Sequence, residues 1–317
     1  MMPVENARQW YALSQVKGLG AKSLHALYNG VIRSQCSPDQ IGKLDWPAFN
    51  RMFPTLPRRM FDAIGEAREA ELSPSFDDLS NSGIQIVHLG HPAYPEMLLQ
   101  RLEKSAPPIL YYKGYLRLLN GPSVAVVGSR HASEEGLAAA YQLGTELAAQ
   151  GRNVISGYAK GVDTQGHLGA LHAEGTTTII LSSGIYEFTR KREFNETDLS
   201  RNALVVSQFH PNERWLARNA MTRNKLVCGL SEAVVVIESG PEIDDQGRMS
   251  GTYDAGSATL TMGIPLLVLS PSSFTRPPIG NVSLIAKGGI EFRLTDSLET
   301  VLRDHRSPVA QVQSSLF

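Results

Sequence analysis

Residues 124–136 read VAVVGSRHASEEG, and residues 153–163 read NVISGYAKGVD. Each stretch begins with a short apolar run, passes through a glycine-containing turn and leads toward a helical segment. Continuous β-branched runs are typical of strands that are buried on both faces of a parallel sheet. Further runs lie at residues 178–181, 203–207, 233–238 and 266–269, and helical windows such as 134–149 and 164–173 separate most of them. This alternation predicts a doubly wound α/β domain with a mostly parallel sheet.

The flanking regions have a different texture. Residues 1–75 carry apolar side chains at helical spacing, which predicts a small helical domain. Within it, residues 16–22 read VKGLGAK between two predicted helices, and such a Gly-apolar-Gly turn can aim N–H groups at a phosphate, as in a helix-hairpin-helix. A structural helix-turn-helix without a ligand also fits this short segment. Residues 76–302 form the α/β domain, with additional strands at 84–87 and 109–112, and the polar residues 303–317 form a predicted flexible tail.

Composition excludes several classes of protein. The chain has 317 residues, of which 42% are hydrophobic and 19% charged, as in ordinary globular proteins. No apolar run approaches the roughly 20 residues that a membrane-spanning helix needs. The N-terminus lacks the pattern of a secretory signal, and the two cysteines, Cys36 and Cys228, lie far apart in the sequence. These features predict a cytoplasmic protein that does not contact a membrane.

Charge is balanced overall but segregated along the chain. The formal net charge of −1 provides no global attraction for polyanions, so any nucleic-acid site must be local. Residues 199–225 contain five basic residues and one acidic residue, whereas residues 226–260 contain one basic residue and six acidic residues. Solvated loop faces would also produce this segregation.

The loops that follow the predicted strands are the candidate binding sites, because ligands of doubly wound sheets bind outside the carboxyl ends of the strands. A helix N-terminus stabilises phosphate, and arginine can clamp it in a bidentate manner. Four segments have this chemistry. They comprise Gly128, Ser129 and Arg130; Ser156, Gly157, Lys160 and Gly161; Arg223, Asn224 and Lys225; and Ser250, Gly251 and Thr252.

Each segment alone is also compatible with a tight turn that binds nothing. The first is not a G-x-G-x-x-G dinucleotide motif, because Arg130 and Ser133 occupy glycine positions. The side chains available to stack on a base are Tyr158, Phe188, Trp215 and Tyr253. We predict no metal site, since no third ligand is spaced to join His167 and His172.

These segments, in this order, resemble the DNA-processing protein A (DprA/Smf) family over about residues 10–291. The resemblance implies an extended Rossmann-like domain and a SAM-like helical domain. It also implies single-stranded DNA binding in a basic pocket, a homodimer and loading of RecA recombinase, with no catalytic residue and no cofactor. Carried over by position, Arg130, Lys160, Arg223 and Lys225 contact phosphate, while Asp163 and His167 hold loops.

The sequence also departs from the family pattern. Ala220-Met221 replaces a Phe-Pro pair, Lys225 replaces an arginine, and residues 241–245 form an acidic insertion. The sequence shows no C-terminal winged-helix domain of the kind that many relatives carry. These departures suggest a divergent member that acts in a mobile-element or phage-defence system beside a toxin-like partner protein.

Two further hypotheses concern function. The ending Gln313-Ser314-Ser315-Leu316-Phe317 resembles a peptide that docks on the replicative sliding clamp, with Gln313, Leu316 and Phe317 as anchors. A frayed terminus with a chance match is the alternative. Related folds also include enzymes and sensors for small nucleotides, but no glutamate follows Gly251-Thr252 within a helical turn to serve as acid or base. An antitoxin-like regulator of a partner protein remains the third alternative.

Overall fold

The computed structural model describes residues 6–67, 72–296 and 298–304. Nine strands form one sheet within these ranges. They are β1 (Gln85–His88), β2 (Ile109–Gly114), β3 (Ser123–Val127), β4 (Asn153–Ser156), β5 (Thr177–Ile180), β6 (Ala203–Ser207), β7 (Ala233–Val236), β8 (Leu266–Leu269) and β9 (Ile290–Phe292). The strands predicted at residues 203–207 and 266–269 are therefore confirmed at their predicted bounds. The sequence analysis missed β9, which is only three residues long.

The strand order is β1-β2-β6-β5-β4-β3-β7-β8-β9. The seven strands from β6 to β9 in this order pair in parallel, while β1 with β2 and β2 with β6 pair antiparallel. Successive strands run outward from β3 through β4 and β5 to β6, and the chain then returns to place β7 on the other side of β3. This reversal confirms the predicted doubly wound, mostly parallel α/β fold and puts the crevice beside the carboxyl end of β3.

Helices cover both faces of the sheet. They are α1 (Ala7–Gln15), α2 (Ala21–Ser34), α3 (Trp46–Met52), α4 (Arg58–Glu66), α5 (Phe76–Asn81), α6 (Glu96–Leu102), α7 (Glu134–Ala149), α8 (Val162–His172), α9 (Leu199–Asn202), α10 (Ala217–Gly229), α11 (Gly251–Thr261), α12 (Ile279–Ala286) and α13 (Leu298–Asp304). No helix in the described ranges is long and apolar enough to cross a membrane.

The two faces have separate cores because successive side chains of a strand point to opposite sides. On β3, Ala125 and Val127 pack in one core with side chains from α6, α10, α11 and α12. Val124 and Val126 pack on the other face against α7 and α8. Every residue of β3 is buried, which explains its uninterrupted apolar sequence.

The N-terminal helices pack onto the sheet. Buried side chains of α1 to α5 share a core with apolar side chains of β1, β2, β5 and β6. The predicted turn between two helices is present between α1 and α2, where Gly18 has φ +92°, a conformation that favours glycine. Helix α5 begins directly after the domain boundary predicted at residue 75 but packs in the core of the N-terminal helices, and α13 crosses the boundary predicted at residue 302. Residues 305–317, including Gln313, Leu316 and Phe317, lie outside the described residues.

Candidate nucleic-acid interface

The loops after β3, β4 and β7 meet because these strands are neighbours in the sheet. The backbone N–H of Ser129, after β3, donates to the carbonyl of Glu238, after β7, at 2.8 Å. The N–H of Val162, after β4, donates to the carbonyl of Ser129 at 3.2 Å. Gly161, with φ +76°, lies so close to this backbone that a Cβ there would overlap the Ser129 carbonyl. A backbone hydrogen bond thus joins the first predicted segment to the end of the second. The third and fourth segments are joined by Asn224, whose side-chain amide donates to the Gly251 carbonyl at 2.9 Å.

Three of the predicted cations are exposed around these loops. They are Arg130, Lys160 and Lys225. The Arg130 guanidinium carbon lies 6.0 Å from the ring centroid of Trp215, whose side chain is 53% exposed. Lys225, on α10, lies near Asp254; burial raises the pKa of that carboxyl and the lysine opposes the rise. The structure therefore groups exposed positive charge with an exposed indole at the carboxyl edge of the sheet.

Arg223 lies elsewhere than the sequence analysis predicts for a phosphate-contacting cation. It is 4% exposed, its guanidinium lies 3.9 Å from the Asp163 carboxylate, and it packs directly beneath Gly157. Burial lowers the pKa of Arg223, and Asp163 opposes that shift. A Cβ at residue 157 would overlap the guanidinium, so glycine is required there. Arg223 is thus a buried support for the 157–161 loop.

Helical phase explains this correction. The buried positions of α10 are Asn219, Ala220, Arg223, Leu226, Val227, Cys228 and Gly229. They follow the spacing i, i+1, i+4, i+7 and i+8 that defines one face of a helix. Lys225 lies two residues from Arg223 and therefore on a different side of α10. Treating residues 223–225 as part of a helix would have separated the two cations from the sequence alone.

Two other predicted contacts are also buried. Ser156 is 0% exposed, and its hydroxyl donates to the Val126 carbonyl at 2.6 Å, so this side chain ties β4 to β3. Tyr253 is 1% exposed and its hydroxyl lies 2.9 Å from that of Ser283. The prediction that Tyr253 can stack on a base is therefore wrong for this conformation. Trp215 is the most exposed of the four aromatic candidates.

The helix N-termini that the sequence analysis assigns to phosphate already carry oxygens of the protein. The Ser133 hydroxyl accepts from the Gly136 N–H, and the Glu238 carboxylate accepts from both the N–H and the hydroxyl of Ser133, at 2.9 and 2.7 Å. The Asp163 carboxylate accepts from the Ala159 N–H, as its predicted role in holding a loop requires. Ser250 caps α11 by accepting from the Tyr253 N–H. An anion at the α7 N-terminus would be repelled by the Glu238 carboxylate.

Helix α10 differs from these helices. It begins after Leu216 with no side-chain cap and no acidic residue in its first turn. This end carries the partial positive charge of the helix dipole and follows Trp215 directly. Serine side chains cap the starts of α7 and α11, and the start of α8 has no side-chain cap but carries the acidic Asp163 in its first turn. The arrangement therefore favours anion binding by exposed side chains and by the start of α10.

Sequence analysis missed the role of Lys191. Its ammonium group donates to the carbonyls of Tyr158 and Ala159, at 2.7 and 3.1 Å, and to the Thr164 hydroxyl at 3.1 Å. It also lies 4.2 Å from the centroid of the Tyr158 ring. Tyr158 has φ +62°, an unusual value for a residue other than glycine. Lys191 thus fixes the loop that presents Lys160, and no local motif signals this contact because the two segments are about 30 residues apart.

His167 is buried beneath the same loop. It is 0% exposed and its Nδ1 lies 2.6 Å from the Thr177 hydroxyl. Burial, together with the positive charges of Lys191 and Arg223, lowers the pKa of His167 to about 3. The folded protein therefore holds a neutral imidazole where the unfolded chain binds a proton below pH 6.5. The described residues contain no cluster of three or more metal-ligating side chains.

Acid is expected to destabilise the fold through His167. Since the pKa is depressed in the folded state, its contribution to stability is present above pH 6.5 and is lost as the pH falls. The free energy of unfolding should drop by about 2 kcal/mol between pH 7.5 and pH 5 from this residue. Urea unfolding of the wild-type protein and of His167→Gln at both pH values measures the difference. An equal pH dependence in the two proteins would contradict the assignment.

Comparison with known proteins identifies relatives of this architecture. A family model described as DNA recombination-mediator protein A matches residues 85–301. The DNA processing protein DprA of Streptococcus pneumoniae is 37% identical over 139 residues, which cover 42% of this chain and 48% of that protein. Protein Smf of Synechocystis sp. is 27% identical over 247 residues, 74% of this chain and 58% of that protein. The matches thus span about half the length of these curated relatives.

Two solved structures share the fold. The X-ray structure of DNA processing protein A from Streptococcus pneumoniae has a TM-score of 0.75 and 25% identity, covering 94% of this chain and 98% of that one. DNA processing protein A from Helicobacter pylori, whose structural study concerns its single-stranded DNA binding mode, has a TM-score of 0.58 and 23% identity. That comparison covers 70% of this chain and 98% of the other.

Proposed function

Because this chain belongs to the DNA recombination-mediator protein A family, we propose that it is a non-enzymatic protein that binds single-stranded DNA and mediates DNA processing. The observation that carries the proposal is that exposed Arg130 lies beside exposed Trp215 at the carboxyl edge of the sheet. Exposed Lys160 and Lys225 lie on segments whose neighbouring residues contact the other strand-end loops. The protein binds the DNA through its phosphates, and the loops bring these cations together although the chain as a whole has no excess positive charge.

The chemistry of the cluster suits a flexible, single-stranded backbone. Arg130 provides a planar group that can contact a phosphate in a bidentate manner, whereas Lys160 and Lys225 act as compact point charges. Trp215 offers a face for stacking, and stacking on an aromatic side chain is worth about 1–3 kcal/mol per base with little preference for sequence. This combination of phosphate contacts and one stacking platform supports weakly sequence-dependent binding.

A binding titration at two ionic strengths tests the proposal. Affinity for an oligothymidine should fall by about 0.7 log unit per log unit of salt for each phosphate neutralised. A duplex of the same length should bind more weakly, because its bases are unavailable to Trp215. Tighter binding to the duplex, or an affinity that does not depend on salt, would contradict the proposal.

A nucleotide-hydrolysing enzyme or sensor is the second candidate. The carboxylates near the loops have structural partners: Glu238 accepts from Ser133 and Asp163 accepts from Ala159. Asp254 follows Gly251-Thr252 and lies near Lys225, but the position lacks the glutamate of the hydrolases. Incubation with a panel of nucleoside monophosphates separates the candidates, since release of a base or of phosphate would favour the enzyme.

The protein also forms a homodimer in our proposal, through an exposed apolar surface. This surface comprises Ile243, Met249, Ile279 and Val282, each more than half exposed. Ile279 and Val282 lie three residues apart on α12, while the loop that bears Ile243 and Met249 is tied to the end of α12 by the 3.2 Å pair of Lys287 and Glu242. Contiguous exposed apolar side chains are typical of protein interfaces.

Replacing Ile279 and Val282 together by aspartate is expected to convert the dimer into a monomer, because four charges would be buried in the symmetric interface. Light scattering after gel filtration measures the mass. Ile32→Asp, which alters an exposed isoleucine on α2, is the control and should remain dimeric. A wild-type protein that is monomeric at all concentrations would overturn the proposal.

Other partners are proposed on the sequence alone. They are RecA, the sliding clamp through Gln313, Leu316 and Phe317, and a toxin-like protein in a phage-defence or mobile-element system. Removal of residues 313–317 followed by a clamp-binding measurement tests the second, and unchanged binding would exclude this tail as the docking peptide. The RecA partner is tested by copurification of RecA with this protein in the presence and in the absence of single-stranded DNA.

A further inference from the structure

The N-terminal helices contain a second concentration of positive charge. A groove of about 470 Å³ runs between one face of α2 and the loop that joins α3 to α4. Three exposed cations line this basic groove: Lys22 and Arg33 from α2, and Lys104 from the segment after α6. The groove is lined entirely by described residues, and none of those lining residues is Asp or Glu.

Among the described residues, the three cations of the basic groove have no carboxylate partner. Other basic side chains of the N-terminal helices are neutralised: Lys43 pairs with Asp39 and Arg58 pairs with Asp62. Within the described part of the chain, no ion pair involves Lys22, Arg33 or Lys104. Three like charges without counterions in one groove repel one another, so binding of an anion there relieves the repulsion.

The shape of the groove favours an extended polyanion over a single small anion. Lys22 and Arg33 lie eleven residues apart on α2, which corresponds to about 16 Å along the helix axis. Asn29 lies between them on the same face, and Phe53 and Pro54 form part of the opposite wall. A groove between two elements of this size accepts one strand of a nucleic acid. A double helix is wider than the helix α2 that forms the wall and does not fit in the groove.

A second cavity adjoins both the start of α2 and helix α10. This cavity has a volume of about 310 Å³. Its lining includes Ala21 and Leu24 of α2, Ser105 from the segment after α6, and Thr222 of α10. Ala21 and Ser105 are direct neighbours in sequence of Lys22 and Lys104, which line the groove. At its other end, exposed Thr222 lies one helical turn from Lys225. The cavity therefore lies between Thr222 on α10 and the start of α2, which carries Lys22.

We propose that the basic groove of Lys22, Arg33 and Lys104 binds the phosphates of the same DNA strand that the strand-end loops hold, as that strand leaves Lys225. This inference rests on the proposed function. It assigns the N-terminal helices a direct role in binding, through side chains of α2 and not only through the glycine turn that precedes it. It also predicts that the groove contributes only when the strand is long enough to reach it.

Fluorescence anisotropy with dT6 and dT30 tests the inference on the full chain. The variant Lys22→Gln/Arg33→Gln/Lys104→Gln should bind dT6 like the wild type but dT30 at least tenfold more weakly at low salt. Its salt dependence on dT30 should be smaller by about 2 log units per log unit of salt, for three lost phosphate contacts. The control is Arg117→Gln/Arg201→Gln/Arg293→Gln, which removes the same charge from other exposed arginines and should leave both affinities unchanged.

The outcomes separate the inference from the proposed function. An unchanged affinity of the groove variant for dT30, or an equal loss on dT6 and dT30, would overturn the inference. Loss of affinity confined to duplex DNA would also overturn it, since the groove would then serve a different ligand. Failure of the wild-type protein to bind either oligonucleotide would instead refute the proposed function. Because all three side chains are exposed, an unchanged thermal unfolding temperature is expected and shows that the variant is folded.

Discussion

Replacing Arg130 and Lys160 together by alanine is expected to weaken binding of single-stranded DNA by about 100-fold at low salt. A hydrogen bond to a charged group contributes about 1.5–3 kcal/mol, so two lost phosphate contacts cost at least about 3 kcal/mol in binding free energy, or two orders of magnitude. The loss of affinity should be similar for all DNA sequences, because the contacts are to the phosphates of the DNA. Anisotropy titrations with mixed-sequence and homopolymer oligonucleotides measure it.

Arg117→Gln is the matched control for this double variant. Arg117 is also exposed, but it precedes β3 and therefore lies toward the opposite edge of the sheet from the strand-end loops. The control should bind DNA like the wild-type protein. Wild-type affinity in the double variant would show that DNA does not lie across the strand-end loops. Both substitutions are at exposed positions, and we expect surface changes of this kind to alter stability by less than about 0.5 kcal/mol.

Replacing Arg223 by methionine is expected to lower the free energy of unfolding by about 3–5 kcal/mol. The guanidinium and the Asp163 carboxylate are both buried, and removal of one member of a buried pair leaves the other charge without compensation. DNA binding should also weaken, because the loop that carries Lys160 rests on this guanidinium through Gly157. Chemical denaturation measures the first effect and anisotropy the second.

Two further variants distinguish a buried pair from simple loss of packing. Asp163→Asn/Arg223→Met should be less destabilised than the sum of its two single variants, because no unpaired charge remains. Lys225→Met, also on α10 but exposed, should unfold like the wild type while binding DNA less tightly. If Arg223→Met unfolds like the wild-type protein, the buried pair is not a support of the loop.

The site therefore combines exposed groups, which we propose contact DNA, with buried groups that hold them. Glu238, Asp163 and Lys191 satisfy backbone groups of the loops, so the loops are ordered by the protein before a ligand binds. A preorganised site loses less conformational entropy on binding. The carboxylates of Glu238 and Asp163 are compatible with the proposed phosphate contacts, because their oxygens accept hydrogen bonds from the backbone and from Ser133.

The sequence by itself determined the fold class and the loops of the candidate site. Buried strands require uninterrupted apolar runs, and helix α7 requires apolar residues at helical spacing. Because both signals are local, residues 134–149 and 203–207 were predicted with their observed bounds. In a parallel sheet, the loops that follow adjacent strands meet at the carboxyl ends of those strands. The order of the motifs also indicated the family, which the match over residues 85–301 confirms.

Only the tertiary structure decided which of the predicted side chains face solvent. Arg223 and Lys225 look equivalent in sequence, yet the packing of α10 against the sheet buries one and exposes the other. The partners that occupy the loops come from distant positions, since Glu238 caps a residue 105 positions earlier in the chain. Burial and capping depend on where whole elements pack in space, and local sequence patterns do not carry that information.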